Sequence, residues 1–97
     1  MPICKLSHAS RNDLKAIARF TDKRWGRNQR ILYLAEFEAA FKSLAETPEL
    51  GKLCPELKGT PFKYYVGRHS IFYHPIEDGI QIIRILHDAM DFDRHLK

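Results

Sequence analysis

The sequence predicts an α+β domain: a small antiparallel β-sheet with an antiparallel helical hairpin on one face, in the order β-α-α-β-β-β, closed by a short carboxy-terminal helix. Three observations point there. Apolar residues recur at a period near 3.6 from about residue 14 to residue 44, then alternate with period 2 from residue 62 onward. The stretch between them, ETPELGKLCPELKGTP at 46–61, holds three prolines and two glycines and keeps neither period, so it is expected to be loop. Finally, 97 residues leave room for one core, so the span 1–97 is read as a single domain. A chain of this size buries only roughly 60–65% of the surface its unfolded form exposes.

The elements follow in order. Ile3 to Ser7 alternates apolar and polar side chains and reads as a short strand. Ser10 with Asp13 has capping-box spacing, so a helix is expected to start there, with Leu14, Ile17, Ala18, Thr21 and Trp25 as its buried stripe. Gly26 ends it. A second helix runs from about Asn28 to Ala45, packing through Ile31, Leu34, Phe37, Phe41 and Leu44 and stopped by Pro48. Two helices joined so briefly form an antiparallel hairpin.

FKYYVG, RHSIFYHP and GIQIIRILH then read as three antiparallel strands, joined by a tight turn at Gly67 and Arg68 and a loop at Glu77, Asp78 and Gly79. Asp88 is expected to cap the last helix, with Asp91 as its capping-box partner. In the third of these strands Ile80, Ile82, Arg84 and Leu86 are expected to face one way and Gln81, Ile83, Ile85 and His87 the other. Both faces are then largely apolar, and one of them lacks a cover except for that short helix. An apolar patch left open in this way marks an interaction surface, so a partner protein is expected.

Composition narrows the function. Residues 1–30 carry eight basic side chains against Asp13 and Asp22, a balance of +6, while 31–60 come to −2 and 61–97 balance. Such a basic third suits nucleic acid or an acidic partner. No window resembles a signal peptide or a membrane span, so the expected location is the cytoplasm, with no membrane contact. Cys4 and Cys54 lie far apart with no CxxC spacing and are read as free thiols.

No phosphate-loop or zinc-finger pattern occurs, and the second helix has few basic residues, so sequence-specific DNA reading is not expected. His87, Asp91 and His95 have one-face helical spacing, but the aspartate is already accounted for as a cap; neither a metal nor a cofactor is expected. A metal-independent ribonuclease would need a base, an acid and cations around a phosphate. Arg68, Arg84, His74, His87, Tyr64, Tyr65 and Tyr73 supply those types on neighbouring strands, and Arg68, Tyr73, Arg84 and His87 form the candidate catalytic set of that reading. The competing reading is that the same rings and stems merely cover apolar surface.

Several ordered motifs together resemble one known family. LSHASRNDLKAI, then Thr21 with Trp25-Gly26, then LAETPELG, and last the run from Gly67 through Ile71-Phe72-Tyr73, Gly79, Ile82, Arg84-Ile85-Leu86-His87 and Met90-Asp91 to His95-Leu96 resemble the ParE toxins of type II toxin-antitoxin modules, within the ParE/RelE group. The resemblance implies a toxin that poisons DNA gyrase without being an enzyme itself, neutralised in a hetero-oligomer by a ParD-like antitoxin whose disordered tail folds across it. Antitoxin contacts are then expected at Arg11, Lys15 and Arg19 by charge, and at Ile80, Ile82 and Leu86 by their apolar face. Target contacts are expected at His87, Met90, Phe92, Arg94 and His95, because the family's carboxy-terminal end is implicated in toxicity.

The RelE-like branch, which shares the fold, implies instead a ribosome-dependent messenger RNA endoribonuclease, although the tyrosine of that branch beyond the last strand is missing here. His74 stands where the family has an Arg after the Phe-Tyr pair, Ser70 replaces an apolar residue, and the Gly59-Thr60-Pro61-Phe62 stretch lacks an Arg. These departures imply a further alternative, an attenuated toxin that retains mainly antitoxin binding.

Overall fold

A computed structural model describes residues 2–90 and 92–96. Strand β1 (Ile3–Leu6) leads into α1 (His8–Trp25) and α2 (Arg27–Glu46), and a 3-10 turn at Pro48–Leu50 precedes β2 (Lys52–Leu53). Strands β3 (Phe62–Val66), β4 (His69–Ile76) and β5 (Gly79–His87) follow, and α3 (Phe92–His95) is a single turn. The sheet runs β1-β5-β4-β3-β2, antiparallel except at one edge, where β1 lies parallel to β5 in the register Ile3 to Gly79 through Leu6 to Ile82. The two long helices cover one face, with Ile17, Phe37, Phe41 and Leu44 set against Ile71, Tyr73, Ile80, Ile82 and Ile85.

The first helix begins earlier than its capping pattern indicated. Ser7, not Ser10, is the N-cap: its hydroxyl oxygen accepts the Ser10 N–H at 3.0 Å and donates to the Ile83 carbonyl at 2.8 Å. The chain must turn at Ser7 because β1 stops pairing at Leu6, and Ser10 is buried at that helix–sheet junction, donating to the Ser7 and Ile82 carbonyls. Gly26 sits at φ 95°, a conformation open to glycine at little cost, and there the chain reverses from α1 into α2. The ends of the packing stripes were misplaced for the same reason: Trp25 and Ile31 flank that reversal, beyond the reach of the sheet, and both are exposed.

The 46–61 segment is not all loop. Tyr73 is fully buried, and its hydroxyl donates to the Pro48 carbonyl at 2.6 Å and accepts the Gly51 N–H at 2.9 Å, so the segment is drawn onto the sheet edge, where Lys52 and Leu53 pair with Lys63 and Phe62. Gly51 is required there by space: a Cβ would overlap the Tyr73 hydroxyl. Asp88 is a turn residue, not the cap of α3, and its proposed partner Asp91 lies outside the described residues.

Strict alternation fails along β5. Tyr73 pairs with Ile82 but Phe72 pairs with Arg84, so Ile83 is an extra residue in a bulge, and the facing sense switches there. Ile80, Ile82 and Ile85 all face the helices, while Ile83 and Leu86 face the other side. That second side is not open either. Cys54 and Leu57 from the segment before β3, with Phe92 and Leu96 from the chain's end, close over Phe72 and Leu86. Ser70 is buried, and its hydroxyl finds no partner among the described residues.

Candidate functional site

At the end of the sheet where β4 begins and β5 ends, the bulge places His69 opposite His87. Their rings meet edge to face with centroids 5.2 Å apart. Tyr33 of α2 reaches the same point: its hydroxyl lies 2.7 Å from His69 Nδ1 and donates to the Val66 carbonyl at 2.9 Å. Tyr33 has one proton to give, and the tautomer of His69 sets whether it goes to Val66 or to Nδ1. Burial, and next the nearby His87, hold His69 below the ordinary histidine pKa; burial likewise raises that of Tyr33.

His87 Nδ1 accepts the Ala89 N–H at 3.1 Å and lies 3.1 Å from Asp88 Oδ1, while the other carboxylate oxygen of Asp88 lies 3.8 Å from Arg68. These groups border a cleft of about 400 Å³ whose helical wall is Phe20 and Trp25 of α1. Two exposed aromatic rings thus face a pair of imidazoles and an exposed guanidinium.

A second groove of about 450 Å³ runs between the helices, lined by Leu14, Ala18, Leu34 and Phe41 and edged by Arg11 and Lys15 on α1 and by Glu38 on α2. A third feature is a clamp. Arg84 donates from Nε and Nη2 to the two oxygens of Asp13 at 2.8 and 2.9 Å, and from Nη1 to the His95 carbonyl at 3.1 Å. Asp13 also accepts the Ile85 N–H at 2.9 Å, a donor left without a strand partner because β1 has already ended.

The residues singled out from the sequence fall into separate places. Of the candidate catalytic set, Arg68 and His87 come together, whereas Tyr73 is locked under the Pro48 turn and Arg84 is held by Asp13. His74 stands near the opposite end of β4, beside Gly59. Arg11, Lys15 and Arg19 are exposed on α1. Ile80, Ile82 and Leu86 are at most 1% exposed and belong to the chain's own core, because the helices cover the first two and the 54–57 segment with α3 covers the third. They present no surface to a partner.

Met90, Arg94 and His95 are exposed, whereas the Phe92 ring packs 4.9 Å from that of Phe72 as a cover. Among the described residues no cluster of three His, Cys, Asp or Glu is placed to hold a metal ion, and no helix is long and apolar enough to cross a membrane. Both cysteines are free, and burial raises the pKa of each.

His69, Tyr33 and Phe20 were missed by sequence reasoning. The signal for His69 was a register count: a regular hairpin closing at Glu77 and Asp78 sets residue 69 opposite 86, and the one-residue bulge moves its partner to 87.

The sequence matches, over residues 4–92, the family described as "ParE toxin of type II toxin-antitoxin system, parDE". It is similar to a protein named Toxin ParE1 in Mycobacterium tuberculosis, 37% identical over 92 residues that cover 94% of each chain. Toxin ParE1 of Caulobacter vibrioides is 32% identical over 92 residues, 95% of each chain. A solved chain described as "Chromosomal ParDE TA system from P. aeruginosa" superposes with TM-score 0.74 at 21% identity, covering 90% of this chain and 96% of that one, a likeness of fold.

Proposed function

Because the chain belongs to the ParE toxin family of type II toxin-antitoxin systems, we propose that it arrests growth by binding and trapping DNA gyrase, through contacts and without chemistry of its own. The observation that supports binding over cleavage is the dispersal of the nuclease set: Tyr73 and Arg84 are committed to the fold, so no acid, base and cation trio converges from the four. The contact surface we assign is Met90, with His87 next to it, and Arg94 and His95, while Phe92 and Leu96 keep the sheet covered. A cognate ParD-like antitoxin lays an apolar, acidic segment into the groove between α1 and α2, with Arg11 and Lys15 along its edge and Arg19 one helical turn beyond.

Supercoiling by purified gyrase with ATP, and messenger cleavage with and without ribosomes, are to be run on one preparation. Gyrase inhibition with intact messenger is expected; messenger cleavage with unaffected gyrase reverses the reading in favour of the ribosomal nuclease. Antitoxin binding with neither effect identifies an attenuated toxin. Within the surface, Met90→Ala with Arg94→Glu and His95→Ala is expected to weaken growth inhibition about tenfold or more while antitoxin affinity holds. His87→Gln keeps hydrogen bonding but cannot shuttle a proton near neutral pH, and is expected to retain inhibition within a few-fold. A loss of about a hundredfold or more from that change, in a variant whose fold and antitoxin affinity are unchanged, would argue for proton transfer and hence for the nuclease.

A further inference from the structure

The cleft beside His69 and His87 combines exposed aromatic rings with nearby cations. Phe20 and Trp25 are 66% and 65% exposed, although both are large and apolar. Lys23 and Arg24 stand three and four positions after Phe20 and so share its helix face, and the Arg24 guanidinium lies 5.3 Å from the centre of the Trp25 ring. From Lys15 to Ala35 the chain carries six basic side chains and one acidic, Asp22, which lies 3.7 Å from Arg30. The described residues lining the cleft include no acid; the one carboxylate at its rim is that of Asp88, between His87 and Arg68. On its far side Arg68 is four-fifths exposed and meets Asp88 only at 3.8 Å, loose enough to turn toward an anion.

Exposed aromatic rings interleaved with cations, beside the His69 and His87 imidazoles and the Gln29 amide, match a chain whose flat rings alternate with phosphates. An acidic peptide would satisfy the cations and leave the rings without a flat partner. We propose that this cleft binds single-stranded nucleic acid, stacking bases on Phe20 and Trp25 while Lys23, Arg24 and Arg68 take the phosphates. The interaction is independent of sequence, and it stands on these residues whether or not gyrase is the target.

Trp25 is the only tryptophan, so its fluorescence reports on the cleft directly. The intact chain is titrated with dT12, rU12, a 12-base-pair duplex and a glutamate-rich peptide, following Trp25 emission and, for labelled oligonucleotides, anisotropy across a salt series. Expected are quenching by the single strands, binding weakened roughly tenfold by Phe20→Ala or Trp25→Ala, and a salt slope reduced by about 0.7 for each of Arg24→Ala and Arg68→Ala. Lys58→Ala, on the loop near the opposite end of β4, should leave affinity unchanged. The two single strands separate DNA from RNA as the natural ligand, and quenching by either supports the proposal. Duplex binding of equal strength with equal quenching overturns it, as does peptide quenching that outcompetes the oligonucleotides, or oligonucleotide binding indifferent to Phe20 and Trp25. Because both rings are mostly exposed, their truncation leaves the fold intact, which a thermal melt of each variant verifies.

Discussion

The charged form of His69 is disfavoured by where the ring sits: half-buried and facing a second imidazole, with its Nδ1 against the Tyr33 hydroxyl. Its pKa lies below the ordinary value near 6.5, chiefly through burial and then through His87, with Asp88 and Asp13 opposing. The unfolded chain therefore takes up that proton at a higher pH than the folded one, and stability rises with pH wherever the unfolded state holds more protons. It is full above about 6.5 and is lost as pH falls toward the folded value. Each unit of difference amounts to about 1.4 kcal/mol, or roughly 5 °C in melting temperature for a domain of this size. Melts between pH 7.5 and 5 are expected to show a decline that His69→Gln flattens; an unchanged decline would assign the acid sensitivity elsewhere. Little of this was legible in the sequence. His69 has no chemical neighbour along the chain, and its two partners come from α2 and from the end of β5, the latter through a bulge that periodicity does not reveal.

Among the elements, the clamp on the free edge of β5 has the largest consequences. Past Ile82 that strand has no strand partner on its outer side among the described residues, and Asp13 of α1 substitutes for one by accepting the Ile85 N–H while it neutralises Arg84. Asp13→Ala would leave a mostly buried guanidinium and a strand N–H without partners together, a loss of about 2–3 kcal/mol. Urea denaturation is expected to show that loss, with faster hydrogen exchange at Ile85 as its local signature; full stability with fast exchange would separate edge protection from global folding. The helical hairpin and the β3–β5 meander were readable because each is built from contacts within a short stretch, under one period. Asp13 was read as a helix cap because its position in the first turn is a local signal, whereas Arg84 lies 71 positions away. The β2 edge was unreadable for a like reason: it depends on the Tyr73 hydroxyl, 22 positions beyond Gly51.

Over the whole molecule, charge is unevenly spread, with the surplus on the first 30 residues of a chain whose pI is about 9.2. On the proposed docking, an acidic antitoxin would be drawn in before it docks. Reversing Arg11, Lys15 and Arg19, all exposed on α1, is expected to slow association about tenfold or more at low salt and to flatten its salt dependence, while dissociation changes less. Stopped-flow mixing across a salt series measures this, and an unaltered on-rate would reduce the stripe to solvated surface. The parallel pairing of β1 with β5 has a further effect, in time and not in space. Ser7 and Ile83 are 76 positions apart, and at a synthesis rate of roughly 5–20 residues per second several seconds separate their appearance from the ribosome. Throughout that interval β1 has no strand to join and Asp13 has neither Arg84 nor Ile85, so the helical hairpin waits on an unfinished sheet. The His69–His87 corner is completed only when β5 is made, and a nascent chain halted before Gly79 carries the basic helix but not the surface proposed to do harm.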